Sequence, residues 1–369
     1  TVKRRAPDLA LTPRHSTAII RRTNELEGPA LLIETATPAR AGLIGNPSDG
    51  YFGRTISCTV ANYSARITLF ESPEIVLEPS KRDHSSFRSL EELVEEVRYA
   101  GYYGGLRLVK ASVKRFHDYA VQQGLKLPER NFTIRYDSDV PLRVGLAGSS
   151  AIVVSTLKAL CRFFEVTLDP ARLANLALAV ENEELAIPAG LQDRVVQCHG
   201  GLVFMDFSRR YMEEYGHGLY ERMDWRMLPP LYVAHLLKVG EGTEVPHTDL
   251  RRRYAEGDPK VRRVMQELAD IAIDFRVALE EGRVSRMAEL MNCNFDLRAS
   301  ILPISEANWR LINAARNTGV CAKFCGSGGA IVGICEDAAA FAVLKDELAR
   351  AGAQTIRPII NPNEAEELA

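Results

Sequence analysis

The 369-residue chain is long for one hydrophobic core and suits two domains of ordinary size. With 46% apolar and 25% charged residues and a formal net charge of -2, it has the profile of a soluble globular protein, with no basic excess to favour nucleic acid or an anionic membrane. Its seven cysteines form no Cys-x-x-Cys pair and no apolar leader or span is visible, so the expectation is a cytoplasmic enzyme with reduced, mostly buried thiols.

In chain order, residues 1–30 mix charges and prolines and read as an extension on the outside of the main domain. Strands are expected over Ala30–Ile33, Arg54–Val60, Ala65–Phe70 and Ile75–Leu77, from apolar alternation or β-branched content. Between the first two, Ala39–Gly53 carries Gly42, Gly45, Pro47, Gly50 and Gly53 and reads as a turn-rich loop. Ser89 followed by Glu92 marks a helix start, giving a helix over Ser89–Tyr99, a break at Gly101–Gly105, and an amphipathic helix over Leu106–Gln122. A strand at Asn131–Tyr136, a glycine-serine loop at Val140–Ala151 and a helix at Ile152–Phe164 follow. Pro170–Leu185 reads as a helix with Glu181, Glu183 and Glu184 near its end. A turn over Ala189–Arg194 then opens a short helix, Val195–His199, and a strand ending at Asp206. The pattern restarts near Trp225 with a strand, Leu231–Lys238, and helices over Thr248–Glu281, Ser285–Leu297 and Glu306–Thr318. It closes with a Gly326–Gly329 loop, a strand at Ala330–Cys335, a helix at Ala338–Ala351 and a strand at Thr355–Ile360. The division this suggests is an extension 1–30, a first domain 31–224 and an α+β second domain 225–369.

The Val140–Ala151 stretch runs from a strand into a helix N-terminus. Such a loop offers successive backbone N–H groups, close approach at glycine and the positive end of a helix dipole, so an anion is its natural occupant. The hydroxyls of Ser149 and Ser150 either cap the helix or reach a metal ion held by phosphates. An ordinary turn with a serine cap accounts for the same residues. Neither Gly-x-x-x-x-Gly-Lys-Ser/Thr nor the protein-kinase motif set occurs.

Three loops at wide spacing, Pro38–Gly53, Pro141–Ala151 and Lys323–Gly333, resemble in order and wording the three motifs of the GHMP kinases, named for galactokinase, homoserine kinase, mevalonate kinase and phosphomevalonate kinase. Pro141 through Gly145-Leu146-Ala147-Gly148-Ser149-Ser150-Ala151 looks like that family's phosphate loop, and Cys325-Gly326-Ser327-Gly328-Gly329-Ala330 is similar to its third motif. The resemblance covers about residues 36 to 360. It implies an α+β, two-domain fold, the first domain like ribosomal protein S5 domain 2 and the second ferredoxin-like, and an ATP- and Mg²⁺-dependent kinase. By the same resemblance Pro141 and Gly145–Ala151 cradle the nucleotide phosphates, Gly326–Gly329 close over them, and Ser150 and Glu181 hold magnesium. Asp193 is then the catalytic aspartate that takes the proton of the acceptor hydroxyl, with Arg40 beside it.

Arg40–Asp49 is most similar to the first motif of the sugar kinases. Asn46 and Pro47 stand where the galactokinase form has Glu and His, so those contacts do not carry over, whereas Arg40 and Asp49 match. Asn-Pro-Ser-Asp followed by Tyr-Phe-Gly-Arg-Thr-Ile-Ser looks most like a plant subgroup that phosphorylates glucuronic acid at its anomeric hydroxyl. The resemblance therefore implies a sugar partner, with Asp49, helped by Asn46, on its hydroxyls and a monomer or homodimer as the working form. A uronate carboxylate calls for an arginine fork, and Arg54, Arg194 and Arg298 are the candidates, each of which also reads as a structural ion pair. Tyr102 and Tyr103 either line the site or simply pack. The rival readings are a kinase of another hexose, deoxyhexose or heptose phosphate, and a sugar sensor that keeps the fold without catalysis.

Overall fold

One long antiparallel pair organises the first half of the chain. In the computed structural model, which describes residues 31–81, 83, 89, 90, 94, 104–237 and 247–361, β1 (Leu32–Ile44) lies against β2 (Arg54–Ser72). The expected break after Ile33 is absent: Ala39, Ala41, Leu43 and Ile44 are fully buried in a strand covered on both faces, so their glycine- and proline-containing wording does not mark a loop. The register shifts between Pro38 and Ala39 and again between Gly42 and Ile44, which is where a residue without an N–H and one without a side chain are tolerated. Across the first shift Pro38 faces Ser64 while Ala39 faces Val60, so Ala61, Asn62 and Tyr63 bulge within a single 19-residue strand where two strands are expected.

β3 (Val76–Glu78), β4 (Asn131–Ser138), β5 (Leu202–Asp206) and β6 (Leu219–Met223) complete this sheet in the order β3-β4-β2-β5-β6, with β1 on β2. Among the described strands only β3 and β4 pair parallel. The helices α1 (Gly105–Gln122), α2 (Gly148–Phe163), α3 (Pro170–Ala179) and α4 (Leu191–His199) cover its faces. α2 is buried nearly all round, Val153, Val154 and Leu157 having no exposure at all, as befits the central helix of the layer. The short α5 (Arg209–Tyr215) precedes β6; neither was expected, because α5 buries no residue and β6 is largely exposed.

In the second half β7 (Leu231–Leu236), β8 (Lys323–Phe324), β9 (Ala330–Ile334) and β10 (Ala353–Ile356) form an antiparallel sheet in the order β10-β7-β9-β8. The one helix expected over 248–281 is two, α6 (His247–Ala255) and α7 (Pro259–Glu280). Gly257 turns the chain at φ 86°, and Asp258 caps α7 with Pro259 at its first position. α8 (Val284–Ala299), α9 (Glu306–Arg316) and α10 (Ala338–Arg350) follow. The first sheet ends at Met223 and the second starts at Leu231, yet one buried cluster contains Ala41, Leu43 and Ile56 together with Leu231, Val233 and Ala330. Hydrophobic burial therefore welds the halves.

All seven cysteines are free thiols; Cys293 on α8 is exposed, Cys198 is half-buried and the others are buried. No helix among the described residues is long and apolar enough to cross a membrane. Residues 1–30, Tyr102, Tyr103 and most of the helix expected over 89–99 lie outside the described residues.

Candidate active site

The glycine-serine loop leaves β4 and enters α2 at Gly148, four residues before the apolar run that marks the helix in the sequence. Arg143, Gly145 and Ala147 all take left-handed backbone conformations on the way. No side chain caps α2, so the amides of its first turn point out of the helix end with the positive pole of its dipole. Gly145 is required twice over: φ is 73°, and a Cβ there would lie 2.9 Å from Ser327 N and from Gly328 O. Gly326 answers it from the other half, where a Cβ would lie 2.4 Å from Gly145 O and 2.8 Å from Arg40 Nη1. The two glycine loops thus meet backbone to backbone. Leu146 and Ala151 bury their side chains in the packed core and so shape the loop.

Arg40 stands on β1 at 5% exposure, where the two loops converge. Its Nε and Nη2 both meet Asp193 Oδ1, at 2.7 and 2.6 Å, and Nη1 donates to the carbonyls of Gly145 (2.7 Å) and Cys325 (3.1 Å). One guanidinium therefore ties the aspartate to both loops. Asp193 lies in the first turn of α4, where the dipole favours an anion, and Arg194 Nη1 is 3.6 Å from its other oxygen. Asp49, in the 3-10 turn Ser48–Tyr51, abuts Gly190: a Cβ on that glycine would lie 2.3 Å from Asp49 Oδ2. Burial, and then the charge of Asp193, push the Asp49 carboxyl up to about 6 against the Gln192 amide and the guanidiniums of Arg40 and Arg194.

The helix expected over 170–185 changes pitch after Ala179 into a π-helical turn, Val180–Glu184. That turn buries Glu181 to 1% exposure while Glu183 and Glu184 reach out to Arg115 and Lys114. Glu181 pairs with Arg194 and accepts a hydrogen bond from Ser149 Oγ at 3.0 Å. Ser150, the hydroxyl expected beside it, is fully buried and donates to Ala147 O, so the Glu181 partner is Ser149.

The three arginines expected at a substrate carboxylate are already engaged. Arg54 Nε donates to Asp206 at 2.8 Å, and Arg194 holds Glu181 and the Gly190 carbonyl (2.7 Å). Glu181, with Asp193, keeps the Arg194 guanidinium charged despite its burial. Arg298 donates to Gly326 O (2.6 Å) and Ser327 O (3.1 Å), fixing the second glycine loop, and burial beside Arg40 brings it down to about 10. The Asn46 side chain is engaged as well: its Oδ1 accepts from Lys323 Nζ at 2.7 Å and its Nδ2 reaches Phe324 O at 3.5 Å.

Two residues of this framework escaped the sequence reading. Lys323, 1% exposed, also donates to Gly42 O (2.6 Å) and Phe324 O (2.8 Å), and burial lowers its amine to about 7. Asn294 on α8 accepts from Gly45 N (2.6 Å) and donates to Asn46 O (3.0 Å). Its signal was its spacing: Asn294 and Arg298 lie four apart, on one face of a helix whose other buried residues are apolar.

Comparison with known proteins matches the model for the GHMP kinases N terminal domain to residues 107–201 and that for the GHMP kinases C terminal to 275–354. Glucuronokinase 1 of Arabidopsis thaliana is 39% identical over 333 residues, covering 89% of this chain and 91% of the relative. Probable glucuronokinase 2 of the same plant is 41% identical over 328 residues, covering 87% and 89%. Among solved structures, Lactococcus lactis galactokinase complexed with galactose superposes with a TM-score of 0.69 at 12% identity, covering 89% of this chain and 94% of that one. Methanococcus jannaschii mevalonate kinase gives 0.64 at 19%, covering 90% and 100%. These two share the fold.

Proposed function

The chain belongs to the GHMP kinase family, and from that premise we propose that it transfers the γ-phosphoryl group of ATP to the anomeric hydroxyl of D-glucuronate, giving glucuronate 1-phosphate and ADP. The observation that carries the mechanism is the Arg40–Asp193 pair at the meeting point of two glycine loops. Phosphoryl transfer asks for positioning and charge neutralisation more than covalent chemistry. The uncapped amides of α2 and the backbone of Gly145 hold phosphate oxygens from one side, and Gly326–Gly329 from the other. Asp193 accepts the proton as the sugar oxygen bonds to phosphorus and the bond to ADP breaks. Arg40 orients that carboxylate and stabilises charge on the transferred group.

Mg²⁺ suits the residues present. One carboxylate, Glu181, with the Ser149 hydroxyl against it and Ser150 adjacent, matches an ion that keeps several waters and takes its remaining ligands from phosphates. Held there, the ion neutralises phosphate charge. Asp49 hydrogen-bonds sugar hydroxyls beside Asp193.

The test is ADP release with Mg-ATP across glucuronate, galacturonate, glucose, galactose and a heptose phosphate, with Asp193→Asn as control. Turnover on glucuronate, lowered about 100-fold or more in the variant, is the expected result. Turnover confined to a neutral sugar overturns the uronate reading, and an Asp193→Asn variant as active as the parent overturns the mechanism.

A further inference from the structure

We propose that Arg251, on α6, is the residue that recognises the carboxylate of the acceptor sugar. The inference rests on the uronate-kinase reading above and names the group that makes the site selective for an anionic sugar. A fork of charged donors is the strongest partner for a sugar carboxylate, and Arg54, Arg194 and Arg298 have theirs committed to Asp206, to Glu181 and to the glycine-loop carbonyls.

Arg251 is placed differently. It opens the run Arg251-Arg252-Arg253, and its two neighbours are neutralised nearby: Arg252 by Asp249 at 2.6 Å and Glu256 at 2.9 Å, Arg253 by Asp258 at 2.9 Å. Arg251 pairs with no carboxylate among the described residues. Its Nη2 instead donates to Ala189 O at 2.9 Å. Ala189 begins the turn into α4, four positions before Asp193, and its neighbour Gly190 abuts the Asp49 carboxylate. Burial pushes the Tyr51 hydroxyl up to about 12 against the opposing charge of Arg251, with Asp49 adding to the rise.

The helix is anchored in that position. Leu250 is fully buried, and the ring of Tyr254 packs 4.8 Å from that of Tyr51, in the cluster that joins α6 to the turn bearing Asp49. Arg251 is therefore held at the edge of the Asp49–Asp193 site with most of its planar donors unspent. Ala189 stands two residues before α4 and Asp193 in the helix's first turn, so the Ala189 carbonyl that Arg251 holds and the Asp193 carboxylate belong to one short stretch of chain. A sugar with its anomeric hydroxyl at Asp193 and a ring hydroxyl at Asp49 then brings its carboxylate to the Arg251 side.

The experiment compares the whole protein with Arg251→Met and Arg251→Lys, measuring KM for ATP and kcat/KM for glucuronate and for glucuronamide, which keeps the ring and lacks the charge. Arg251 is exposed, so neither change threatens the core, and thermal midpoints check this. Arg251→Met is expected to cost about 10- to 100-fold in kcat/KM for glucuronate through its KM, to leave KM for ATP unaltered, and to erase the preference over glucuronamide. Arg251→Lys recovers part of it, as a point charge does for a fork. A preference that survives in Arg251→Met, or a loss equal on both sugars, overturns the proposal while leaving the kinase reading standing. A parent protein that fails on glucuronate overturns both.

Discussion

Asp49 gives the site a measurable pH signature. In the unfolded chain its carboxyl ionises near the ordinary 3.8, whereas burial and Asp193 hold it at about 6 in the native protein. The folded form thus keeps a proton that the unfolded form releases, so stability falls as pH rises from about 4 to about 6 and is level beyond. Asp49→Asn removes that dependence: the variant matches the parent below pH 4 and is the more stable above pH 6, by about 3 kcal/mol, while losing affinity for the sugar. Thermal melts at pH 4 and pH 7 check both limits. Arg40, Asp193 and the glycines were legible because each belongs to a stretch whose wording is chemically constrained. Lys323 and Arg251 were not: one sits at the end of a two-residue strand and the other in a basic run that reads as a solvated helix face.

At the scale of elements, the sequence marks long periodic segments and misplaces their ends. α1 begins within one residue of its expected start, whereas α2 starts four residues early, because Gly148, Ser149 and Ser150 carry no apolar signal. β1 was hidden by its own composition, since a glycine- and proline-containing stretch reads as a turn unless its burial on both faces is known. The π-helical turn that brings Glu181 inward left no sequence trace, and it decides which serine the carboxylate meets. The contact between the two glycine loops has a direct test in Gly326→Ala. The new methyl must displace Gly145 O or the Arg40 guanidinium, so kcat/KM is expected to fall about 100-fold and the thermal midpoint to fall with it. Steady-state kinetics beside calorimetry separates the two effects; unaltered kinetics would sink the idea that the loops must touch.

At the scale of the whole molecule, the described residues form two sheets joined by an apolar seam. Leu231 and Val233 pack in the same cluster as Leu43 and Ile56, Gly42 N donates to Cys325 O at 2.8 Å, and Lys323 and Asn294 reach from the second half to the first. Thermal unfolding is therefore expected as a single transition seen alike by fluorescence and calorimetry, and a fragment ending at residue 224 is expected not to fold alone. Two resolved transitions would show the halves to be independent. Composition and element order made the two-part α+β organisation legible. They gave no hint that the Arg40–Asp193 pair is completed by carbonyls from both parts, because contacts between distant segments leave no periodicity behind. The cysteines add a practical consequence. Burial has silenced six of the seven thiols to differing degrees, and the seventh, Cys293, projects from α8 next to Asn294 and five positions before Arg298. A single maleimide dye coupled to the native protein would ride on the helix that grips both the Asn46 loop and the second glycine loop, turning this protein into its own optical reporter of ligand arrival without an engineered residue.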